Sequence, residues 1–133
     1  MRRSIAFVAI AIAFATAACA SHTGDQPPAA NGTLHVTQQV HGHLYIEGSV
    51  GSIKVLRGNR TVYESKIGDG VSKDLPPGNY ELDSYQQLCT GNCGNLGPPT
   101  DKCSENIEIR SDATTSAVVE LTPDSNSCTI STS

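Results

Sequence analysis

Tryptophan is absent from the 133 residues, and the chain has two phenylalanines and one methionine. Phe7, Phe14 and Met1 all lie in the first 18 residues, so the rest of the chain has no ring larger than its four tyrosines, Tyr45, Tyr63, Tyr80 and Tyr85. Aromatic rings supply much of the burial in small cores. A domain built without Phe or Trp has a thin aliphatic core, and thin cores commonly need covalent staples. Positive charge is also scarce. Leaving out residues 1–18 takes Lys+Arg from 9 to 7 against 13 Asp+Glu, a net charge of about −6. That balance excludes a phosphate-tracking nucleic-acid binder and a polybasic membrane-binding surface. The motifs of EF-hands, nucleophile elbows, P-loops and H-E-x-x-H zinc enzymes are missing. Ser, His and Asp occur, but in no spacing that marks a triad, so a non-catalytic protein is expected.

The long apolar run that is present sits at the start. Arg2 and Arg3 precede an apolar stretch from Ile5 to Ala15, the order of an export signal. As a helix it spans about 16 Å, short of the about 30 Å core of a bilayer. It suits an export machine better than a permanent span. Thr16-Ala17-Ala18-Cys19 follows. Small residues before a cysteine resemble the lipobox of bacterial lipoproteins, with Thr16 where that family usually has Leu. The resemblance implies a signal peptide over 1–18, cleavage after Ala18, a diacylglyceryl group on the Cys19 thiol and an extracytoplasmic, membrane-anchored protein. An ordinary signal peptide cut near Ala18-Cys19-Ala20 is the alternative. Residues 19–32, rich in Ala, Pro, Gly and small polar residues, are expected to be a flexible tether.

About 100 residues remain, one small domain over 33–133. Its cysteines are Cys89, Cys93, Cys103 and Cys128. An even count in an exported domain predicts two disulfides. A four-cysteine zinc site would want paired C-x-x-C arms, which these spacings do not offer. Four cysteines allow three pairings. The expected one is Cys93–Cys103, clipping a Gly/Pro-rich loop over 89–103, with Cys89–Cys128 tying that loop's base to the last strand.

Apolar residues alternate with polar ones over 33–39, 43–47, 53–57, 60–65, 79–86, 106–110, 116–121 and 128–131, which predicts strands. Leu34, Val36, Ile53, Val55, Tyr80, Leu82, Ile107 and Ile109 are expected inward, and Tyr85 outward. Gly58-Asn59 marks a two-residue hairpin turn. Asp69-Gly70 and Asp74 look like turn residues, and Pro77-Gly78 suits the centre of a type II turn. No window of helical length carries a 3.6-residue period. The predicted fold is all-β, a small disulfide-stapled β-sandwich of about seven strands after a signal helix and tether. Leu75-Pro76-Pro77-Gly78-Asn79-Tyr80-Glu81-Leu82 resembles the L-x-P-G-x-Y-x-L signature of carboxypeptidase-regulatory-like, transthyretin-like sandwich domains. The resemblance covers roughly residues 42–86 and lacks a D-G-x-F turn ahead of the prolines. It implies a domain that binds, braces or presents, and it brings no catalytic residues.

Three local features carry candidate chemistry. His41 and His43 are two apart in an extended stretch and so share a face. With His35 they form a candidate surface site for Zn²⁺ or Cu²⁺, set against plain solvated strand residues. Glu81 and Asp83 share a strand face, as a pair of acid–base or Ca²⁺-binding carboxylates would, or as solvated side chains do. The stapled loop offers Asn92, Asn95, Thr100 and Asp101 to a partner. The expected function is a lipid-anchored, non-catalytic interaction module of the cell envelope, contacting an envelope protein or glycan and no nucleic acid, with no cofactor beyond its lipid. A metal-binding lipoprotein using the histidines is the alternative.

Overall fold

The computed structural model describes residues 28–42, 48–90, 93–122, 125 and 127–133. The expectations for the signal segment, for Cys19 and for a strand over 43–47 lie outside these residues. Eight strands run in chain order: β1 (Gly32–Val40), β2 (Ser49–Arg57), β3 (Arg60–Lys66), β4 (Val71–Leu75), β5 (Gly78–Thr90), β6 (Asn95–Ile109), β7 (Thr114–Thr122) and β8 (Ser127–Thr132). They form two four-stranded sheets, in the orders β4-β1-β7-β8 and β3-β2-β5-β6. The chain is the all-β, disulfide-stapled sandwich that the alternation predicts. Among the described residues no helix is long and apolar enough to cross a membrane.

All pairings are antiparallel except β1 with β7, which run parallel from Thr33 opposite Thr114 to Val40 opposite Leu121. The core lies between the sheets. Leu34, Val36, Ala117, Val119 and Leu121 come from the first, and Ile53, Val55, Tyr80, Leu82, Ile107 and Ile109 from the second. The period-2 pattern places each of them inward. Tyr85 does face outward, yet it is only 8% exposed. Its ring lies under the Lys54 ammonium, 5.4 Å away, and its hydroxyl donates to Glu64 at 2.7 Å.

The proline motif is the corner where the chain crosses from one sheet to the other. Leu75 ends β4 in the first sheet, and Gly78 opens β5 in the second. Gly78 has φ of 148°, well beyond the roughly +80° of a type II turn, so the expected turn is replaced by a more extended crossover. A Cβ on Gly78 would sit 3.0 Å from the Arg57 guanidinium, which lies over the Tyr80 ring. The buried Tyr80 donates its hydroxyl back to the Pro76 carbonyl at 2.7 Å. One tyrosine thereby fills the core and satisfies a carbonyl that proline-rich backbone leaves free.

Two expectations about local structure are overturned. Asp74 is in β4, opposite Thr33, whose hydroxyl donates to it at 2.8 Å. The Gly/Pro-rich segment 89–103 is mostly strand. It closes β5 and supplies the first nine residues of β6. Its strand character is broken by register shifts between Ser84/Gln86 and between Gln87/Cys89. Each is an extra residue on the β6 side, and Asp101 takes the left-handed backbone (φ 44°) that such a bulge uses.

That register also decides the disulfides. Cys103 lies opposite Ser84, while Asn95 at the start of β6 lies opposite Thr90. Along an extended strand Cys103 is more than about 20 Å from the hairpin tip. Cys93 sits at that tip and cannot reach it. The observed bridges are Cys89–Cys93, closing the tip, and Cys103–Cys128, joining β6 of one sheet to β8 of the other. The expected pairing of Cys93 with Cys103 and Cys89 with Cys128 is therefore corrected.

Candidate functional site

The strands set two ends on the molecule. Gly32 opens β1 at one end, where Asp112 donates its backbone N–H to Asn31. β1 is nine residues long, so Val40 is about 30 Å away at the other end. The β5–β6 hairpin tip points the same way as Val40, because β5 runs from Gly78 beside Ile109 to Thr90. A tether entering at Gly32 thus leaves the hairpin tip at the far end of the domain.

In the second sheet the core stops short of that end at a polar bridge. Gln86 is buried and donates from Nε2 to Gln38 Oε1 across the sheets at 3.2 Å, while Ser49 donates to Gln86 Oε1 at 3.0 Å. Gly51 makes room for the bridge, since a Cβ there would run into both glutamine side chains. Beyond the bridge β5 and β6 continue as an arm. The arm carries exposed leucines, Leu88 at 47% and Leu96 at 39%, and Val40 at 37% borders the same end. Leu96 is the register partner of Cys89 and shares its face, whereas Leu88 lies on the opposite one. Each face of the arm therefore carries one exposed leucine. The Cys89–Cys93 bridge holds its tip, Cys89 N–H donates to the Gly48 carbonyl, and Gln87 Nε2 donates to the Gly97 carbonyl at 3.0 Å.

The sequence-derived binding residues are distributed unevenly over this arm. Asn95 is exposed next to the tip. Thr100 and Asp101 belong to the bulge, where the Thr100 hydroxyl lies 3.4 Å from the Gln86 carbonyl and 3.1 Å from Asp101 Oδ2. Their polar atoms are engaged within the arm. Asn92 lies outside the described residues. Leu88 and Leu96 were not anticipated. The signal available for them was an isolated leucine on either side of a cysteine-stapled turn.

The histidines are separated. His35 faces outward from β1, with Nδ1 2.8 Å from the Ser72 hydroxyl. His41 follows β1, with Nε2 3.8 Å from Glu120 Oε1. Six residues of extended chain put the two about 20 Å apart, too far for a shared metal. His43 lies outside the described residues, and among those described no three His, Cys, Asp or Glu side chains are grouped to hold a metal. Asp83 accepts from the Ser104 hydroxyl at 2.6 Å, and Glu81 is exposed beside it on the outer face. They share a face as expected, on the outer surface of the sheet.

One shallow cleft of about 390 Å³ lies at the tether end, lined by Asn106, Glu108, Arg110, Thr114, Thr115 and Thr132 among others. Arg110 Nη2 meets Glu108 Oε2 at 2.7 Å. The guanidinium holds the Glu108 carboxyl below the usual range, and the carboxylate raises Arg110 in turn. Both charges are spent on each other at the surface, which leaves the cleft little to offer an ionic ligand. The chain matches no protein-family model, no curated protein and no solved structure.

Proposed function

We propose that the chain is a lipid-anchored, non-catalytic interaction module that presents the β5–β6 arm to a protein partner in the cell envelope. The observation that carries this reading is the apolar arm itself. Leu88 and Leu96 are exposed on opposite faces of a stapled hairpin at the end remote from Gly32. A rigid arm loses little entropy on docking, and exposed leucines on one protrusion fit an apolar recess. Those leucines favour a protein over a glycan, because the arm has no ring on which a sugar could stack. The lipid on Cys19 supplies the anchor in this reading, and the tether reaches the domain at the end opposite the arm.

In-cell cross-linking of the full-length chain, followed by mass spectrometry, tests it. A recurrent envelope protein is expected with the native chain and is lost with Leu88→Ser/Leu96→Ser. The Cys19→Ser chain is expected to leave the membrane fraction. Recovery of the same partner with the double-serine variant would remove the arm from the proposal. Membrane retention of Cys19→Ser would remove the lipid.

A further inference from the structure

Positive charge is scarce in this chain, and its placement is uneven. Beyond residue 18 there are three arginines, Arg57, Arg60 and Arg110, and all three lie at the end where Gly32 opens β1. A Cβ on Gly32 would meet Ile109 and the Arg110 carbonyl. Ile109 is the register partner of Gly78, and Gly78 packs against the Arg57 guanidinium. Arg110 is spent on Glu108. Arg57 and Arg60 pair with no carboxylate among the described residues, although acid is in excess over the whole chain.

These two arginines flank the exposed β2–β3 hairpin turn, Gly58-Asn59, in which Gly58 has φ of 59°. They lie directly opposite each other in register, so their side chains share a face of the hairpin and their like charges oppose pairing. Arg57 is also held in place, with its guanidinium 5.5 Å from the centre of the Tyr80 ring. A bound anion converts the repulsion into attraction, and guanidinium forks match the oxygens of a phosphate group. The four carboxylates at this end, Asp74, Glu81, Glu108 and Asp112, are matched by Lys73 and the three arginines, so the excess acid lies on the rest of the molecule.

We infer that the Arg57–Arg60 tip binds the phosphates of anionic phospholipid headgroups in the membrane that holds the chain, and so stands the domain upright on it. The inference rests on the reading that Cys19 carries a lipid anchor. The net charge rules out recruitment by charge alone. A domain already held by its lipid needs only to be oriented, and each basic residue at an anionic surface favours contact about fivefold. The tip and the tether meet the membrane together, because both are at the Gly32 end. With that end down, the nine residues of β1 rise about 30 Å from the surface, and the β5–β6 arm points away from the membrane.

Tryptophan fluorescence tests the inference, because the chain has no tryptophan of its own. Asn59→Trp places a single one at the tip, where φ is not positive and a larger side chain is tolerated. The full-length chain, taken from cell membranes in detergent, is reconstituted into phosphatidylcholine vesicles with or without phosphatidylglycerol, each doped with a nitroxide-headgroup lipid. Strong quenching is expected with phosphatidylglycerol. Adding Arg57→Gln/Arg60→Gln should lower the docked-to-undocked ratio about thirtyfold. Arg60→Glu leaves the Arg57–Tyr80 contact in place, so it should abolish the quenching without a fall in melting temperature. Asn95→Trp, on the arm, should stay unquenched. Quenching that is equal on phosphatidylcholine alone, or that survives the loss of both arginines, would overturn the inference. A chain that stays with the vesicles while its tip is unquenched overturns it and spares the anchor. A chain that leaves the vesicles altogether overturns both.

Discussion

The two flanks of the sandwich are closed by different physics. On one flank β6 and β8, the edges of the two sheets, are joined by Cys103–Cys128. On the other flank β3 and β4 have no covalent link. There Lys73 turns inward from β4, opposite Leu34 in register, and its ammonium sits 5.3 Å from the centre of the Tyr63 ring on β3. Ile67, 2% exposed, plugs the connection between the same two strands. Beside the covalent flank, on the inner strand β5, lies Ser84, opposite Cys103, whose buried hydroxyl has no partner among the described residues. An orphaned buried hydroxyl costs about 1–3 kcal/mol. The comparison teaches that the thin core is sealed by covalent closure beside an unsatisfied buried hydroxyl, and by a cation over a ring where the chain already runs from one sheet to the other.

The largest effect should come from opening the covalent flank. Cys103–Cys128 spans 25 residues of sequence and Cys89–Cys93 spans 4. Loop-closure entropy gives roughly 3–4 kcal/mol for the first and roughly 2 kcal/mol for the second. Cys103→Ser/Cys128→Ser should therefore lower the unfolding free energy by more than Cys89→Ser/Cys93→Ser, as measured by denaturant melts of each. The second variant should retain the sandwich and loosen only the arm. Equal losses, or a larger loss at the arm, would show that the flank bridge is not the principal staple.

The sequence announced the inner strands and the edge strands β3 and β8, and concealed β4 and the first half of β6, for a physical reason. Central strands bury one face, so β1, β2, β5 and β7 show a clean alternation in Leu34/Val36, Ile53/Val55, Tyr80/Leu82 and Val119/Leu121. Edge strands need not alternate. β4 places Lys73 on its inner face, which breaks the apolar pattern, and its Asp74 looks like a turn residue by composition. β6 carries two bulges and two prolines that look like a loop by composition. The disulfide pairing follows from strand register over β5 and β6, which spacing does not contain. The same holds for the candidate site. Cysteine count pointed to the stapled arm, but Thr100 and Asp101 turned out to build its bulge, and the exposed Leu88 and Leu96 needed the register to be seen. His35 and His41 looked adjacent in sequence and are kept apart by the extended chain between them.

An effect of intermediate size should appear at alkaline pH, on a strand that belongs to neither flank. Tyr85 lies on β5 in the interior of the second sheet. Burial first, and then the Glu64 carboxylate beside its hydroxyl, push its pKa up to about 12. The folded state thus holds the phenolic proton more tightly than the unfolded chain, whose tyrosine loses it near 10. The extra stability is complete below pH 10 and is lost as pH rises toward 12. It corresponds to about 3 kcal/mol at most. Melts of the native chain and of Tyr85→Phe across pH 9–12 should converge as pH rises, and the difference isolates this group from the lysines that titrate in the same range. A constant difference would mean that the proton is not held this way. The convergence should be the same in the Cys103→Ser/Cys128→Ser background, since the Tyr85–Glu64 contact does not depend on the flank.

The smallest expected effect lies at the non-covalent flank, and it tests whether the two flanks are separate. A cation over a ring at a partly exposed site is worth about 0.5–1 kcal/mol. Lys73→Met keeps the aliphatic stem and removes the charge, and Tyr63→Leu removes the ring. A double-mutant cycle isolates their coupling. The coupling should be about 0.5–1 kcal/mol with the disulfide intact. If each flank closes on its own, the same value should return when Cys103 and Cys128 are both serine. If the coupling instead grows once the bridge is gone, the sheets move as plates hinged at one side, and the cation–ring contact becomes the restraint that remains. Lys73 serves a second purpose that the same variants reveal. An inward charge discourages a foreign strand from pairing with β4, so Lys73→Met should associate at high concentration more readily than Tyr63→Leu does. That difference would separate the edge-guarding role of the lysine from its contribution to packing.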